Sequence, residues 1–249
     1  MKKIFKIISI VLGVLILAGA LWWFFGRNSN ALWHIVDQEC VPNQQKNGNP
    51  SPCIKVDLEQ HYVLFKDSAG PDQDLVMPTD KISGIESPIL QTDRAYPYFS
   101  DAWDNRSHLS VEAGKPLKDQ WIALAINSKY GRSQNQLHIH VACLRQDVYN
   151  VLNEEAQSLD QDWKPLAKKL VGHQYLARKL AGTDLTKEDP FHLLNRYAVE
   201  HGDAIGDYGL ALTVNAQGEI ILLATRLNLL SLDLGSASEI QDHQCAVAK

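Results

Sequence analysis

The chain has no Cys-x-x-Cys pair, no zinc-type ligand spacing and no His-rich tract, so neither a zinc ribbon nor a thioredoxin-like redox centre is written in it. It also lacks internal repeats and low-complexity stretches, which excludes solenoids and long disordered linkers. Basic residues cluster nowhere beyond the first few positions and the formal net charge is −5, so no nucleic-acid partner is expected. The 249 residues are otherwise ordinary in apolar and charged content, enough for one core or a core with a small appendage.

Charge is missing altogether from residues 7–25, a run long enough to cross a hydrocarbon core as a helix. Lys2, Lys3 and Lys6 precede it and Arg27 alone follows closely, so the positive-inside rule sets the N-terminus in the cytoplasm and the rest of the chain outside it. Ala18-Gly19-Ala20 offers a rival reading as a signal-peptidase site. The apolar run continues through Leu21-Trp22-Trp23-Phe24-Phe25, however, which favours an uncleaved anchor with its aromatic pairs at the outer interface. The expected organisation is an anchor over 1–27 and one domain over 28–249.

Either reading places Cys40, Cys53, Cys143 and Cys245 where disulfides persist, so two are expected. Three pairings satisfy the sequence. The preferred one joins Cys40 to Cys53, which would pin the turn-rich residues 40–53, and Cys143 to Cys245.

The centre of the chain is Gln136-Leu137-His138-Ile139-His140-Val141, where polar and apolar residues alternate strictly. Period 2 predicts a half-buried strand with Gln136, His138 and His140 on one face and Leu137, Ile139 and Val141 toward the core. Two histidines two apart hold their rings side by side, so one can react while the other orients or shuttles a proton. The alternatives are a hydrogen-bonded structural pair or a metal pair, and no obvious third ligand supports a metal. Just upstream, the buried strand at residues 121–126 leads into Asn127-Ser128-Lys129-Tyr130-Gly131-Arg132-Ser133, a turn rich in donors that suits a phosphate anion.

Elsewhere, residues 61–65 and 74–78 read as an antiparallel hairpin around Asp67 and Gly70, and residues 98–110 and 145–159 carry helical spacing. Residues 172–178 are a strand candidate. Pro190 starts a helix running to residue 201, and residues 208–214 and 220–224 form a hairpin about Asn215-Ala216-Gln217-Gly218. A last segment, residues 236–245, is read as capped by Ser236. The other histidines are scattered singly and none is assigned to catalysis.

The histidine strand resembles the signature of the histidine-triad (HIT) nucleotide hydrolases and transferases, with Gln136 standing where the family has its first histidine. The resemblance implies that His138 attacks the nucleotidyl phosphorus and that His140 helps fix the site and its charge. It further implies that Ser133 and Asn127 serve the phosphate, that Asp67 contacts the ribose, and that Gln136 offers its amide to a phosphate oxygen without carrying a titrating proton. The implied fold is α+β, a HIT-like antiparallel sheet with flanking helices, here preceded by one transmembrane helix.

An anchor, Glu39-Cys40-Val41-Pro42-Asn43-Gln44-Gln45, Asn49-Pro50-Ser51-Pro52-Cys53, Ala125-Ile126-Asn127-Ser128 with Gly131-Arg132, and the ending Glu239-Ile240-Gln241-Asp242-His243-Gln244-Cys245 together resemble the bacterial CDP-diacylglycerol pyrophosphatase family over essentially the whole chain. That resemblance implies hydrolysis of CDP-diacylglycerol to CMP and phosphatidate through a cytidylyl-histidine, without a cofactor or metal. It implies a single-pass protein of the bacterial inner membrane with a periplasmic domain, and allows a homodimer. Two rival classes are a HIT-type hydrolase or transferase acting on another nucleotide-linked substrate, and a non-enzymatic anchored module that binds nucleotide or lipid.

Overall fold

The computed structural model describes residues 28–92 and 94–249, with Val11, Gly13 and Val14 before them. The anchor expected over residues 1–27 therefore lies outside the described residues apart from those three positions. Among the described residues no helix is long and apolar enough to cross a membrane.

Helical turns open the domain: α1 (Ala31–His34), a π-helical stretch Ile35–Cys40, and α2 (Val41–Asn47), which ends on Gly48 at φ 64°. Strands β1 (Lys55–Asp57), β2 (Tyr62–Lys66) and β3 (Gln73–Pro78) follow, then helices α3 (Tyr98–Asn105) and α4 (His108–Glu112). Next come β4 (Ile122–Ile126), β5 (Ile139–Leu144), α5 (Gln146–Glu155), β6 (Lys164–Pro165), β7 (Tyr175–Lys179) and α6 (Pro190–Glu200). Strands β8 (Tyr208–Val214), β9 (Ile220–Arg226) and the short β10 (Gln241–Asp242) complete the order.

The strands form one sheet in the order β1-β2-β3-β5-β4-β8-β9-β7-β6, and β10 pairs with the end of β5. Every strand pairing among the described residues is antiparallel. With its flanking helices this is the expected α+β class, and β4 and β5 take the expected central place. The inner strands are apolar nearly throughout because both faces are covered. On one face α3, α4 and α6 bring Phe99, Leu109 and Phe191 into one core with Ile122, Leu124, Val141 and Leu210 of the sheet. Asp189 caps α6 by accepting from Phe191 N at 2.7 Å, with Pro190 in the first turn where its missing N–H costs nothing.

The other face has two covers. Val36 and the Cys40–Cys53 disulfide lie over Val63, Leu75 and Met77, while α5 and the turn Ala237–Ile240 lie over Ala123, Ala125 and Ala211. His140 sits where they meet, since its register partners are Leu75 on β3 and Ala125 on β4. The second disulfide, Cys143–Cys245, ties β5 to the C-terminal tail. Both preferred pairings are present.

Two expectations are corrected. The histidine strand enters the sheet at Ile139 and not at Gln136. Before that point Leu137 N donates to Ile82 O and the Gln136 side chain to Pro78 O and Asp80 O, so the loop after β3 takes these donors instead of a strand. Residues 236–245 are not one capped helix. Ser236 makes no cap, a single 3-10 turn ends at Ile240, and Gln241 and Asp242 pair with Leu144 and Cys143 along the part of β5 that β3 does not reach.

Candidate active site

His140 on β5 and His138 just before it turn to the same face, ring centroids 4.9 Å apart and planes at 74°. His138 is buried and its Nδ1 lies 2.6 Å from the Gln136 carbonyl. A carbonyl can only accept, so the neutral ring carries its proton on Nδ1 and keeps the Nε2 lone pair. Burial lowers the His138 pKa from the ordinary 6.5, against the opposing pull of that carbonyl and of the Asp67 charge. The ring is thus held neutral with one nitrogen unprotonated.

His140 is set by a chain of two residues. Gln73 Nε2 donates to Asp67 Oδ2 at 2.7 Å and faces His140 Nδ1 at 2.7 Å. A carboxylate offers no proton, so it fixes which end of the Gln73 amide is the nitrogen; the second amide hydrogen then goes to His140 Nδ1, and the ring proton belongs to Nε2. That Nε2–H is buried and has no acceptor among the described residues. Burial, and after it the neighbouring rings of His138 and His243, keep His140 well below the ordinary 6.5. The pair therefore presents one lone pair and one N–H, two complementary tools for a phosphoryl group.

Asn127 belongs to the same place. The β4–β5 register pairs Ala125 with His140, and continuing it sets Asn127 opposite His138. Its Oδ1 accepts from Ser238 N at 2.9 Å, which leaves Nδ2 with no acceptor among the described residues. Ser128 next to it donates from N to Gly235 O at 2.9 Å, and its Oγ accepts from Tyr130 N and Gly131 N at 3.0 Å each. Gly235 has φ 68° and a Cβ there would stand 2.8 Å from the Ser128 Cβ, so this contact requires glycine. Arg132 anchors the far end of the turn with two bonds of 2.6 Å to Glu86.

Three expected contacts differ in what they hold. Ser133 is exposed and free of side-chain bonds among the described residues. Gln136 gives both amide hydrogens to Pro78 O and Asp80 O at 2.9 Å, so its donors are engaged within the chain and its backbone carbonyl is what touches His138. Asp67 accepts from Ala69 N in its own turn and from Gln73, not from a site opening.

A family model described as CDP-diacylglycerol pyrophosphatase matches residues 27–249. The chain belongs to that family. It is a hydrolase of CDP-diacylglycerol, cleaving the pyrophosphate to CMP and phosphatidate. Among solved structures, one named Hnt3 is 18% identical, covering 48% of this chain and 71% of its own, with a TM-score of 0.30.

A CDP-diacylglycerol pyrophosphatase must hold a dianionic bridge beside a nucleophile, and sequence reasoning misses some of the side chains around the histidines. It misses Gln73 because the strand signal there starts at Asp74; a polar residue opening an apolar strand, on the face of the histidines, is the available clue. Gln241 donates to Ala123 O at 2.6 Å and His140 O at 3.2 Å, and beside it an open cleft of about 760 Å³ is lined by Gly70, Pro71, Arg145, Asn150 and His243. Among the described residues, the donor set that could hold a metal, Asp74, His108 and Glu112 within 4.8 Å, is elsewhere: Asp74 pairs with Val141 on the opposite face of the sheet from His140. There Lys66 Nζ meets Glu112 at 2.9 Å and His108 Nδ1 meets Asp74 at 2.8 Å.

Proposed function

We propose that hydrolysis runs through His138 as nucleophile. Its Nε2 lone pair attacks the cytidylyl phosphorus, the P–O bond to phosphatidate breaks, and phosphatidate leaves with the bonding electrons. Water then attacks the cytidylyl-histidine, the N–P bond breaks, CMP departs, and the water's proton leaves to solvent. Splitting one displacement into two lowers each barrier. The observation that carries this reading is the 2.6 Å contact between His138 Nδ1 and the Gln136 carbonyl, which keeps the lone pair on Nε2 and stabilises the charge the ring gains on attack.

In this reading His140 Nε2–H and Asn127 Nδ2 donate to the non-bridging oxygens, where charge grows in the transition state, and Ser133 lies on the leaving-group side. Gln136 and Asp67 act through the histidines, Gln136 by its carbonyl and its grip on residues 78–80, Asp67 by orienting Gln73. A trapped cytidylyl adduct tests the scheme: alkaline quench during turnover, followed by mass spectrometry, should find it on His138. His138→Ala should lose at least about a thousandfold in turnover while keeping its circular dichroism. Wild-type turnover in that variant would sink the assignment.

The same reading includes residues 1–27 as an uncleaved anchor of the bacterial inner membrane, with the 28–249 domain in the periplasm. Its support is the uncharged run 7–25 behind three lysines and the two disulfides. Release of the protein by alkaline carbonate would contradict it. A homodimer rests on family resemblance, and light scattering of the detergent-solubilised protein decides it.

A further inference from the structure

The loop after β9 displays leucine to solvent. Leu229, Leu230, Leu232 and Leu234 are exposed by 70, 100, 83 and 45%, and no charged residue but the buried Asp233 stands among them. Apolar surface held in water at this density marks a place where something else covers it.

The loop is built to hold those side chains outward. Asn228 N donates to Asp233 O at 2.8 Å and Asp233 N to Asn228 O at 3.0 Å, closing its neck. Asp233 also accepts from Thr225 Oγ1 at 2.6 Å and Gly235 N at 2.7 Å, and Asn228 Oδ1 accepts from Leu230 N at 3.1 Å. Buried Asp233 thus forms the stem, while Asn228 braces the loop from its exposed side. Leu232 takes φ 57°, a left-handed conformation that glycine or asparagine would adopt with less strain, so the backbone gains nothing from a leucine there.

Its position says what covers it. Ser128 bonds to Leu234 O and Gly235 O, so the loop is fastened to the turn that starts at Asn127. Exposed Lys129 and Tyr130 lie on that turn, a cation and an amphipathic ring of the kind that sit among lipid headgroups. The other flank of the same segment holds the start of the domain: Asn135 N donates to Ser29 O at 2.6 Å, Gln134 Nε2 to Asn28 O at 3.1 Å, and Leu32 N to Gln134 Oε1 at 3.3 Å. Residues 28–32 follow directly on the proposed anchor. The exit of the anchor and the leucine loop therefore border one stretch, residues 127–135, which leads into His138.

We propose that residues 228–234 are a second membrane contact, whose leucines enter the outer leaflet of the bilayer that holds the anchor. One helix tethers the domain but leaves it free to swivel; a second contact fixes residues 127–135 against the headgroup layer, where the pyrophosphate of a diacyl lipid lies. The inference rests on the hydrolase and anchor readings above.

Leu230→Cys in the full-length chain, labelled with an environment-sensitive fluorophore, tests it directly, since the four native cysteines are paired. In vesicles of phosphatidylethanolamine and phosphatidylglycerol the emission should shift to the blue and be quenched by shallow doxyl lipids. Emission that stays aqueous overturns the proposal, and burial that follows protein density instead of lipid quencher assigns the loop to a second copy and overturns it too. As a second arm, Leu230→Ser with Leu232→Ser should lower hydrolysis of bilayer CDP-diacylglycerol about tenfold, the factor carried by withdrawing a partly immersed leucine from hydrocarbon. Turnover of a monomeric short-chain CDP-diacylglycerol should be unchanged; equal loss on both substrates, or loss on neither, contradicts docking. The fluorescence arm needs no turnover, so a protein that docks without hydrolysing would fault the hydrolase reading alone.

Discussion

As the proposed nucleophile, His138 needs a neutral ring, and its surroundings favour that form. Burial places its pKa below the ordinary 6.5, so the acid limb of kcat/KM, which reports the free enzyme, should fall below that value. A limb at or above 6.5 would contradict the nucleophile's described environment. Stability moves the same way. Both histidines have lower pKa values folded than unfolded, so as pH drops from 6.5 the unfolded chain binds more protons and stability declines toward the folded pKa values. Circular dichroism at each pH separates the two effects. Asp67 makes a sharper probe of His140. In Asp67→Asn the Gln73 amide can turn over and present oxygen to His140 Nδ1, which moves the ring proton away from Nε2. We expect kcat to fall about a hundredfold, the scale of one misplaced donor at a developing charge, with little change in melting temperature. Unchanged kcat would remove His140 Nε2–H from the mechanism.

At the scale of elements, β5 is held at both ends, by the loop after β3 at Gln136 and by the C-terminal tail at Cys143. The Cys143–Cys245 bridge closes 102 residues against 13 for Cys40–Cys53. On loop-closure grounds its loss by Cys143→Ser with Cys245→Ser should cost about 4–5 kcal/mol, and loss of the shorter bridge about 3. Urea midpoints of the two double variants read the order directly, and a reversed order would show that the long bridge constrains little. Much of this is legible in the sequence. The alternation at residues 136–141, the apolar runs of β4, β8 and β9, and Pro190 in the first turn of α6 are local signals, and each marks its element. The entry point of β5 and the fate of residues 236–245 are not, because they depend on which backbone donors the residue 78–82 loop and β10 claim, a matter of distant chain positions. At the site, the two histidines and Asn127 can be read from their strings. Gln73 leaves only the faint mark of a polar residue opening an apolar strand, and Gln241 leaves none, since what distinguishes both is contact with His140 from β3 and β10.

Across the whole molecule, one sheet carries the proposed reaction centre on one face and an acid–base cluster around Asp74 on the other, while the domain's first residues and the leucine loop are each bonded to the stretch 127–135 that leads into His138. That arrangement suits a lipid whose reacting bond lies at the edge of a bilayer. The proposed course at phosphorus does not depend on how the lipid arrives: two displacements, first by His138 and then by water. The stereochemical course at the cytidylyl phosphorus tests this most directly, using a substrate made chiral there by sulfur and cleaved in isotopically labelled water. Two in-line displacements predict retention of configuration in the CMP phosphorothioate. Inversion would mean that water attacks once and directly, and would contradict the role given to His138.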